Sequence, residues 1–440
     1  MLTVCVLAPV ARAGGPSLAV GTADDAAQQP DYAFAKAYLD KVKLAGLDTI
    51  RLTVTWSPGQ IVVAPDDVLG AGNAVRAAQF TGVRAVLALV PADPAATPLT
   101  DADRAAFARF AADAARRWPY VADFVVGHEP NSDRWWVPQD AGSAGAYVAL
   151  LAGAYDALKA VRPKARVVGG ALAPRELPGT QSPSALLAGM GAAYRASKRA
   201  APVMDALSLH AYPPDSSTAP DLAGAYAATV AALASAFDGT AQPGSALPIV
   251  YDELGVESTQ PRPEAARYTG GEWPATRPVD VSTQARVYRD ALTTAFCQPN
   301  VAGVWLSRVQ DDGDRTGTQA GQFYADGAPK PSMYAVREAA SAVRRGVVAR
   351  CPGMQLTPKV AVAVARAFPR GLKVVFTCSL DCAYALTLDG RGAHGRATGG
   401  RKTTVRFPTL SRSGTHTATV RATATMNAGP AATATVRSGR

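Results

Sequence analysis

The segment Ala122-Asp-Phe-Val-Val-Gly-His-Glu-Pro-Asn131 begins as a short apolar run and stops abruptly in Gly127, His128, Glu129, Pro130 and Asn131. Consecutive apolar residues describe a strand buried on both faces, as in a parallel sheet. Gly and Pro then break the strand, so Glu129 is carried to the rim of that sheet. A second run, Leu247-Pro-Ile-Val-Tyr-Asp-Glu253, delivers Glu253 in the same way.

Outward from these two runs, the same texture repeats. Strand-like runs occur at residues 17–21, 49–55, 84–90, 123–126, 166–170, 205–209, 248–251 and 301–306. Ala-rich segments with charged residues at helical spacing lie between them, such as 32–45, 103–117, 143–161, 184–198, 222–237 and 283–296. Residues 333–345 add a last helix after the eighth run. Eight strand–helix repeats over about 330 residues predict an α/β fold, a (β/α)8 TIM barrel, rather than an open doubly wound sheet. No Gly-rich phosphate turn follows the first run, which argues against nucleotide binding. The loops after the strands, notably 130–144, 211–220 and 255–278, are long, and such loops build the active face of a barrel.

At Cys351-Pro352-Gly353 the pattern changes to short alternating runs at 360–364, 372–377, 383–388, 403–407 and 415–425, with turn signals Asp389-Gly390 and Ser413-Gly414. The chain of 440 residues is therefore expected to divide into a truncated signal leader at 1–13, a barrel at 14–351 and a small β-sandwich, immunoglobulin-like, at 352–440. The leader ends in Ala11-Arg12-Ala13, the pattern of a signal cleavage site, although no basic segment precedes it and an ordinary strand is the alternative. A secreted or cell-surface location follows from the leader.

The formal net charge of +10 is unevenly placed. Residues 352–440 hold 13 Lys and Arg against 2 Asp and Glu, while the first 351 hold 32 basic and 33 acidic groups. The basicity belongs to the tail, which favours an acidic cell-surface polymer as its partner. No nucleic-acid partner and no membrane span are expected. Without Cys5, four cysteines remain, and an exported chain invites pairing. Cys378 with Cys382 would staple one turn, and Cys297 with Cys351 would close the last unit of the barrel; buried free thiols are the alternative.

The chemistry-bearing residues concentrate at strand ends. Two carboxyl groups there are the minimum apparatus for hydrolysing a glycosidic bond. Two of the chain's four histidines, His128 and His210, also lie at strand ends. Trp56, Trp135, Trp136, Trp273 and Trp305 fall in or beside the loops after strands, where aromatic faces stack on sugars; Trp135 or Trp136 is the foremost candidate. Trp118 precedes a strand and reads as core. The pairs Asp24-Asp25 and Asp311-Asp312 lack any calcium-loop pattern, and no zinc motif is present, so no metal or organic cofactor is expected.

The arrangement resembles the retaining glycoside hydrolases of clan A, across about residues 17–350. The resemblance implies that Glu129, ending the fourth run, is the acid/base and that Glu253, ending the seventh, is the nucleophile. Tyr251-Asp-Glu-Leu-Gly255 is similar to the clan's nucleophile strand, and His210-Ala-Tyr212 to the His-x-Tyr of strand six. By the same resemblance Tyr212 hydrogen-bonds the nucleophile, His210 lines the cleft, Arg51 keeps the nucleophile ionised, and Trp305 is an aromatic platform under the sugar. His128 stands where most clan members place Asn, which leaves the contact with the sugar 2-hydroxyl open. Asn131 is expected to be a further loop contact. Double displacement on a β-linked glycan requires Glu253 ionised, Glu129 initially protonated, and carboxyl groups about 5–5.5 Å apart. The alternatives are a catalytically weak glycan-binding barrel and, less favoured, barrel chemistry on phosphorylated metabolites.

Overall fold

The computed structural model describes residues 14–261, 264–271, 276–367, 370–411 and 413–438. The expected leader at 1–13 and Trp273 lie outside the described residues. Two compact units are present. The first contains Ala19–Ala295 and Asn300–Arg337; the second contains Gly14–Leu18, Phe296–Pro299 and Glu338–Arg440.

In the first unit β1 (Ala19–Ala23), β2 (Thr49–Trp56), β3 (Arg84–Pro91), β4 (Asp123–Val126), β5 (Arg166–Leu172), β6 (Ala206–His210), β7 (Ile249–Leu254) and β8 (Val301–Ser307) form a closed barrel in sequence order. Every neighbouring pair is parallel, and β8 closes on β1 with Trp305 opposite Gly21. The connecting helices are α1 (Tyr32–Leu44), α2 (Pro65–Thr81), α3 (Asp101–Arg117), α4 (Ser143–Val161), α5 (Pro183–Ala196), α6 (Leu222–Phe237), α7 (Val281–Phe296) and α8 (Pro331–Arg345). From Glu338 onward α8 belongs to the second unit. Asp31, Thr100, Ser182 and Asp221 cap their helices by accepting from backbone N–H groups that would otherwise lack partners.

The strands and the expected helices form as the residue patterns predict. The additional helix α2 buries mostly small residues, Gly70, Ala71, Ala74, Ala77 and Ala78 beside Val75, so its apolar stripe is weak in sequence. Although no membrane span is expected from the sequence, α4 is by length and composition apolar enough to cross a membrane. Here it packs between α3 and α5, burying Tyr147, Leu150, Leu151 and Leu158, which accounts for its composition.

The barrel interior is filled by alternate residues of successive strands: Val86, Ala88 and Val90, Val125, Val168, Ala171, Ala206, Val250 and Trp305. Period-two selection of one face is what a closed sheet imposes. Among the described residues the second unit contains seven antiparallel strands: β9 (Val360–Arg366), β10 (Leu372–Cys378), β11 (Cys382–Leu388), β12 (Arg391–Ala397), β13 (Lys402–Phe407), β14 (His416–Ala424) and β15 (Ala432–Ser438). They make sheets of order β13-β10-β9 and β12-β11-β14-β15 around a core of Val374, Phe376, Leu386, Val420 and their neighbours. The sequence pattern anticipates five of these strands. The other two, β12 and β15, are sheet edges whose half-exposed Gly, Ala and Thr positions give little apolar alternation.

Both expected cysteine pairs are bonded, Cys297 to Cys351 and Cys378 to Cys382, with Cα separations of 5.2 and 6.7 Å.

The register of β5 against β6 shifts between Gly169 and Leu172, and Gly170 there has φ of +104°. A Cβ on Gly170 would lie 2.5 Å from Ser208 O, backbone that cannot yield. Gly170→Ala is therefore expected to destabilise by at least ~1–3 kcal/mol, the usual cost of a strained backbone. A melting curve should fall by several degrees, while Gly313→Ala, whose added methyl meets nothing within 4 Å, should melt like the parent. Equal melting of all three proteins would show that this bulge relaxes without cost.

Candidate active site

Arg51 on β2 directs its guanidinium into the barrel. Its Nη1 donates to Asp252 Oδ2 at 3.2 Å and its Nη2 donates to Glu253 Oε1. Two consecutive residues of one strand do not normally face the same way. Tyr251 points outward, its hydroxyl donating to Leu222 O on α6, so strict alternation would turn only Asp252 inward. Irregular register on both flanks of β7 changes this: Leu209 pairs with Tyr251 but His210 with Glu253, and the pairing to β8 shifts between Tyr251 and Leu254. The extra residue re-aims the strand so that both carboxylates meet Arg51.

Glu129 reaches the site through a strained turn. Gly127 has φ of 87°, and a Cβ there would press within 3.1 Å of the Tyr147 ring. Glu129 itself has φ of 40°, an uncommon value for a residue with a side chain, at a cost of ~1–3 kcal/mol. The surroundings over-determine it. Tyr147 on α4 donates to Val126 O and accepts from Gly170 N, both at 2.7 Å, tying the end of β4 to β5. Glu129 N donates to Ala171 O at 2.9 Å.

His210, at the end of β6, stands between the two glutamates. Its Nδ1 lies 2.8 Å from Glu129 Oε1, and its Nε2 lies 3.8 Å from both Glu253 Oε1 and Asp252 Oδ1. Tyr212, two residues on, donates to Glu253 Oε2 at 2.9 Å. The side chains of Glu129 and Glu253 keep 17% and 15% of their surface exposed, whereas Arg51, Asp252 and His210 are sealed. The glutamates are the groups an incoming molecule can touch.

Charge orders the site. Burial opposes ionisation of Glu253, but the positive charges of His210 and Arg51 and the Tyr212 hydrogen bond outweigh it and hold this carboxyl well below its usual range. Burial likewise opposes charge on His210, yet Glu253, the Glu129 hydrogen bond and Asp252 raise it to about 9. Burial raises the Asp252 carboxyl, with His210 and Arg51 pulling the other way. Burial and the charge of His210 push His128 down to about 3, so it is a neutral imidazole with one N–H to donate.

Of the other expected contacts, His128 and Trp135 stay together at the rim, ring centres 4.4 Å apart, with His128 4.8 Å from the His210 ring. Asn131 departs from the expectation of a sugar contact. It is fully buried, its Oδ1 accepts from Ala173 N, and its Nδ2 donates to Ala173 O and Gln181 O. It therefore ties the loop after β4 to the loop after β5. Trp305 also departs from the expected platform: it is 2% exposed and lies in the barrel interior, over Gly21 and Gly303, whose missing side chains make room for the indole. Trp56 and Trp136 are buried as well, against Phe107 and Tyr147, and Trp118 is core as expected. Beside Tyr212 a cleft of about 300 Å³ opens among Pro213, Asp215, Glu257, Thr276 and Thr318.

His128, Glu129 and His210 offer three donor atoms within 4.8 Å of one another. A zinc ion would need all three donors turned to one point ~2.0–2.1 Å away. Here Nδ1 of His210 is instead spent on Glu129, in a hydrogen-bonded pair.

The sequence matches no protein-family model and no curated protein. Solved structures do resemble it. A glucosidase from Croceicoccus marinus superposes with a TM-score of 0.54 at 13% identity, over 92% of this chain and 95% of that one. A family 39 glycoside hydrolase from the gut symbiont Bacteroides cellulosilyticus superposes with a TM-score of 0.53 at 17% identity, over 93% of this chain and 74% of that one. A Bacteroides uniformis beta-glucuronidase 2 gives 0.49 at 14% identity, and this chain spans 45% of its length. The first two share the fold at identities too low to carry more than fold.

Sequence reasoning did not single out Asp252. Its signal was present: an acidic residue inside an otherwise apolar barrel strand is costly to bury without a partner. Ser208, which accepts from Ala171 N and bonds Asp252, gave no comparable signal.

These charges have measurable consequences. Folding raises the proton affinity of His210, so its contribution to stability is complete below pH 6.5 and is lost as pH rises through about 9. Glu253 runs the other way, its contribution complete above 4.5 and lost only in strong acid. With only four histidines, NMR titration can follow each. His210 should titrate near 9 and His128 near 3, and Asp252→Asn should lower the His210 value. A His210 titrating at the ordinary 6.5 would remove the charged imidazole from this description.

Proposed function

We propose that the barrel is a retaining glycoside hydrolase acting on a β-linked glycan. The observation that carries this reading is the pairing of Glu129 and Glu253 across a single imidazole at the ends of β4 and β7, with Glu253 held ionised by His210, Arg51 and Tyr212. Glu253 Oε attacks the anomeric carbon as the glycosidic C–O bond breaks, and the leaving oxygen takes a proton from Glu129. Glu129 then removes a proton from water, whose oxygen attacks the same carbon and releases Glu253. The two inversions restore the starting configuration, which requires carboxyl groups ~5–5.5 Å apart.

The Glu129–His210 contact sets the proton supply. His210 Nδ1 lies 2.8 Å from Glu129 Oε1, within reach for proton exchange between ring and carboxyl. The same contact occupies Glu129 in the free protein and favours a second reading, a barrel that binds glycan with little cleavage. His128 and Trp135 at the rim are the proposed sugar contacts, with His128 in place of an amide near the 2-hydroxyl. Two disulfides are compatible with a secreted or cell-surface protein.

A panel of aryl β-glycosides tests the reading. Glu129→Gln should cost ~10²–10⁴ in rate on poor leaving groups, the range of general acid–base catalysis, and far less on activated ones. Glu253→Gln should remove turnover throughout, and NMR of the first product should show the β-anomer. Equal turnover by parent and Glu253→Gln would sink the assignment, and glycan binding without turnover by the parent would establish the second reading.

A further inference from the structure

Tyr212 lies two residues beyond the end of β6, outside the strand ladder, yet its hydroxyl meets Glu253 Oε2 at 2.9 Å. We propose that Arg175, on the loop after β5, is a positioning residue for the nucleophile and acts by holding the backbone that carries Tyr212. Arg175 Nη1 donates to Tyr212 O at 2.9 Å, and its Nη2 donates to Pro213 O at 3.0 Å.

The local sequence leaves those two carbonyls in need of an outside donor. Tyr212 is followed by Pro213 and Pro214, neither of which has an N–H. Ser216 N, which could close a turn onto Pro213 O, donates instead to Thr276 O at 2.9 Å. Pro213 is buried, where a carbonyl without a partner is costly. A guanidinium fork answers two carbonyls at a fixed spacing, whereas a lysine ammonium is a single point charge. Arg175 is itself anchored. Ala173, two residues before it, is tied through both its N–H and its C=O to Asn131. The loop bearing Glu129 thus reaches, by way of Asn131, Ala173 and Arg175, to the segment bearing Tyr212.

What the clamp secures is the orientation of the Glu253 carboxylate. Arg51 bonds Oε1 and Tyr212 bonds Oε2, so the two donors fix the carboxyl plane between them. The Tyr212 ring is seated against Gly255, where a Cβ would lie 3.0 Å from Tyr212 Cε1, and Ser307 bonds its hydroxyl. The backbone is held before Tyr212 by Ala211 N, which donates to Glu253 O at 2.7 Å, and from Tyr212 onward by Arg175. Misplacement by ~1 Å of a group that orients a reacting atom can cost ~10² in rate. The effect on rate rests on the glycosidase reading, whereas the clamp itself does not.

Arg175→Ala, Arg175→Lys, Tyr212→Phe and the double variant Arg175→Ala/Tyr212→Phe test the inference by two measurements. On an activated aryl β-glycoside, Arg175→Ala should lower kcat about tenfold and Arg175→Lys less, with KM within about twofold of the parent. In the Tyr212→Phe background the same alanine change should cost less than about twofold, because a residue acting through the Tyr212 hydroxyl has nothing left to position. The second measurement needs no turnover: the ζ-carbon NMR signals of labelled tyrosine, among which Tyr212→Phe identifies one of 14. Arg175→Ala should move the Tyr212 signal. Arg277→Ala, which removes an exposed charge paired with Asp215 of the same loop, should leave it in place. An unmoved Tyr212 signal in Arg175→Ala, or equal rate losses with and without the Tyr212 hydroxyl, would overturn the inference. A parent without turnover, whose Tyr212 signal still moves in Arg175→Ala, would sink the glycosidase reading and uphold the clamp. If Arg175→Ala melts several degrees early, Arg175→Lys, which keeps one donor, carries the same two measurements.

Discussion

Inside the barrel the guanidinium of Arg51 bridges Asp252 and Glu253, and much of the surrounding architecture serves to make that bridge possible. A buried cation is tolerated only when its charge and its N–H groups are answered. Here two carboxylates answer it, and they come from adjacent positions on one strand because β7 is irregular against both neighbours. His210 supplies the second positive charge, so the sealed cluster is close to balanced. Removal of any one member leaves an uncompensated buried charge, typically worth 3–5 kcal/mol.

That balance gives the two glutamates different characters. Glu253 is surrounded by polar groups from two strands: Arg51 on β2, His210 at the end of β6 and, just beyond it, Tyr212. Glu129 sits in a left-handed turn, with the His210 imidazole against its carboxyl and part of its side chain exposed. Difference in environment, rather than in residue type, is what lets two carboxyl groups divide acid and nucleophile roles. The strain at Glu129 is borne by Tyr147, which draws β4 and β5 together well away from the cleft.

The second unit uses related physics for another purpose. Its core is small and its edges are polar, and one disulfide lies across the tight turn between β10 and β11. Of the basic residues in 352–440, Arg401 borders a concavity beside that turn, next to Arg344 and Arg345 of α8.

The order of the eight strands, the strand ends that bear Glu129, His210 and Glu253, and the pairing of four cysteines were legible in the sequence. Apolar runs ended by Gly and Pro are local patterns, and the backbone obeys them wherever the chain lies. Other features depended on what lies across a strand. Trp305 becomes core because Gly21 and Gly303 leave space beneath it. Asn131 becomes a loop tie because β5 brings Ala173 to its amide. Asp252 joins the site because a one-residue irregularity reverses the usual alternation. The edge strands β12 and β15 were likewise invisible, since neither has a local pattern of its own. Sequence determined which residues arrive at the rim of the barrel; only packing between distant segments decided which way each one faces, because orientation is set by the neighbour that fills or leaves the adjoining space.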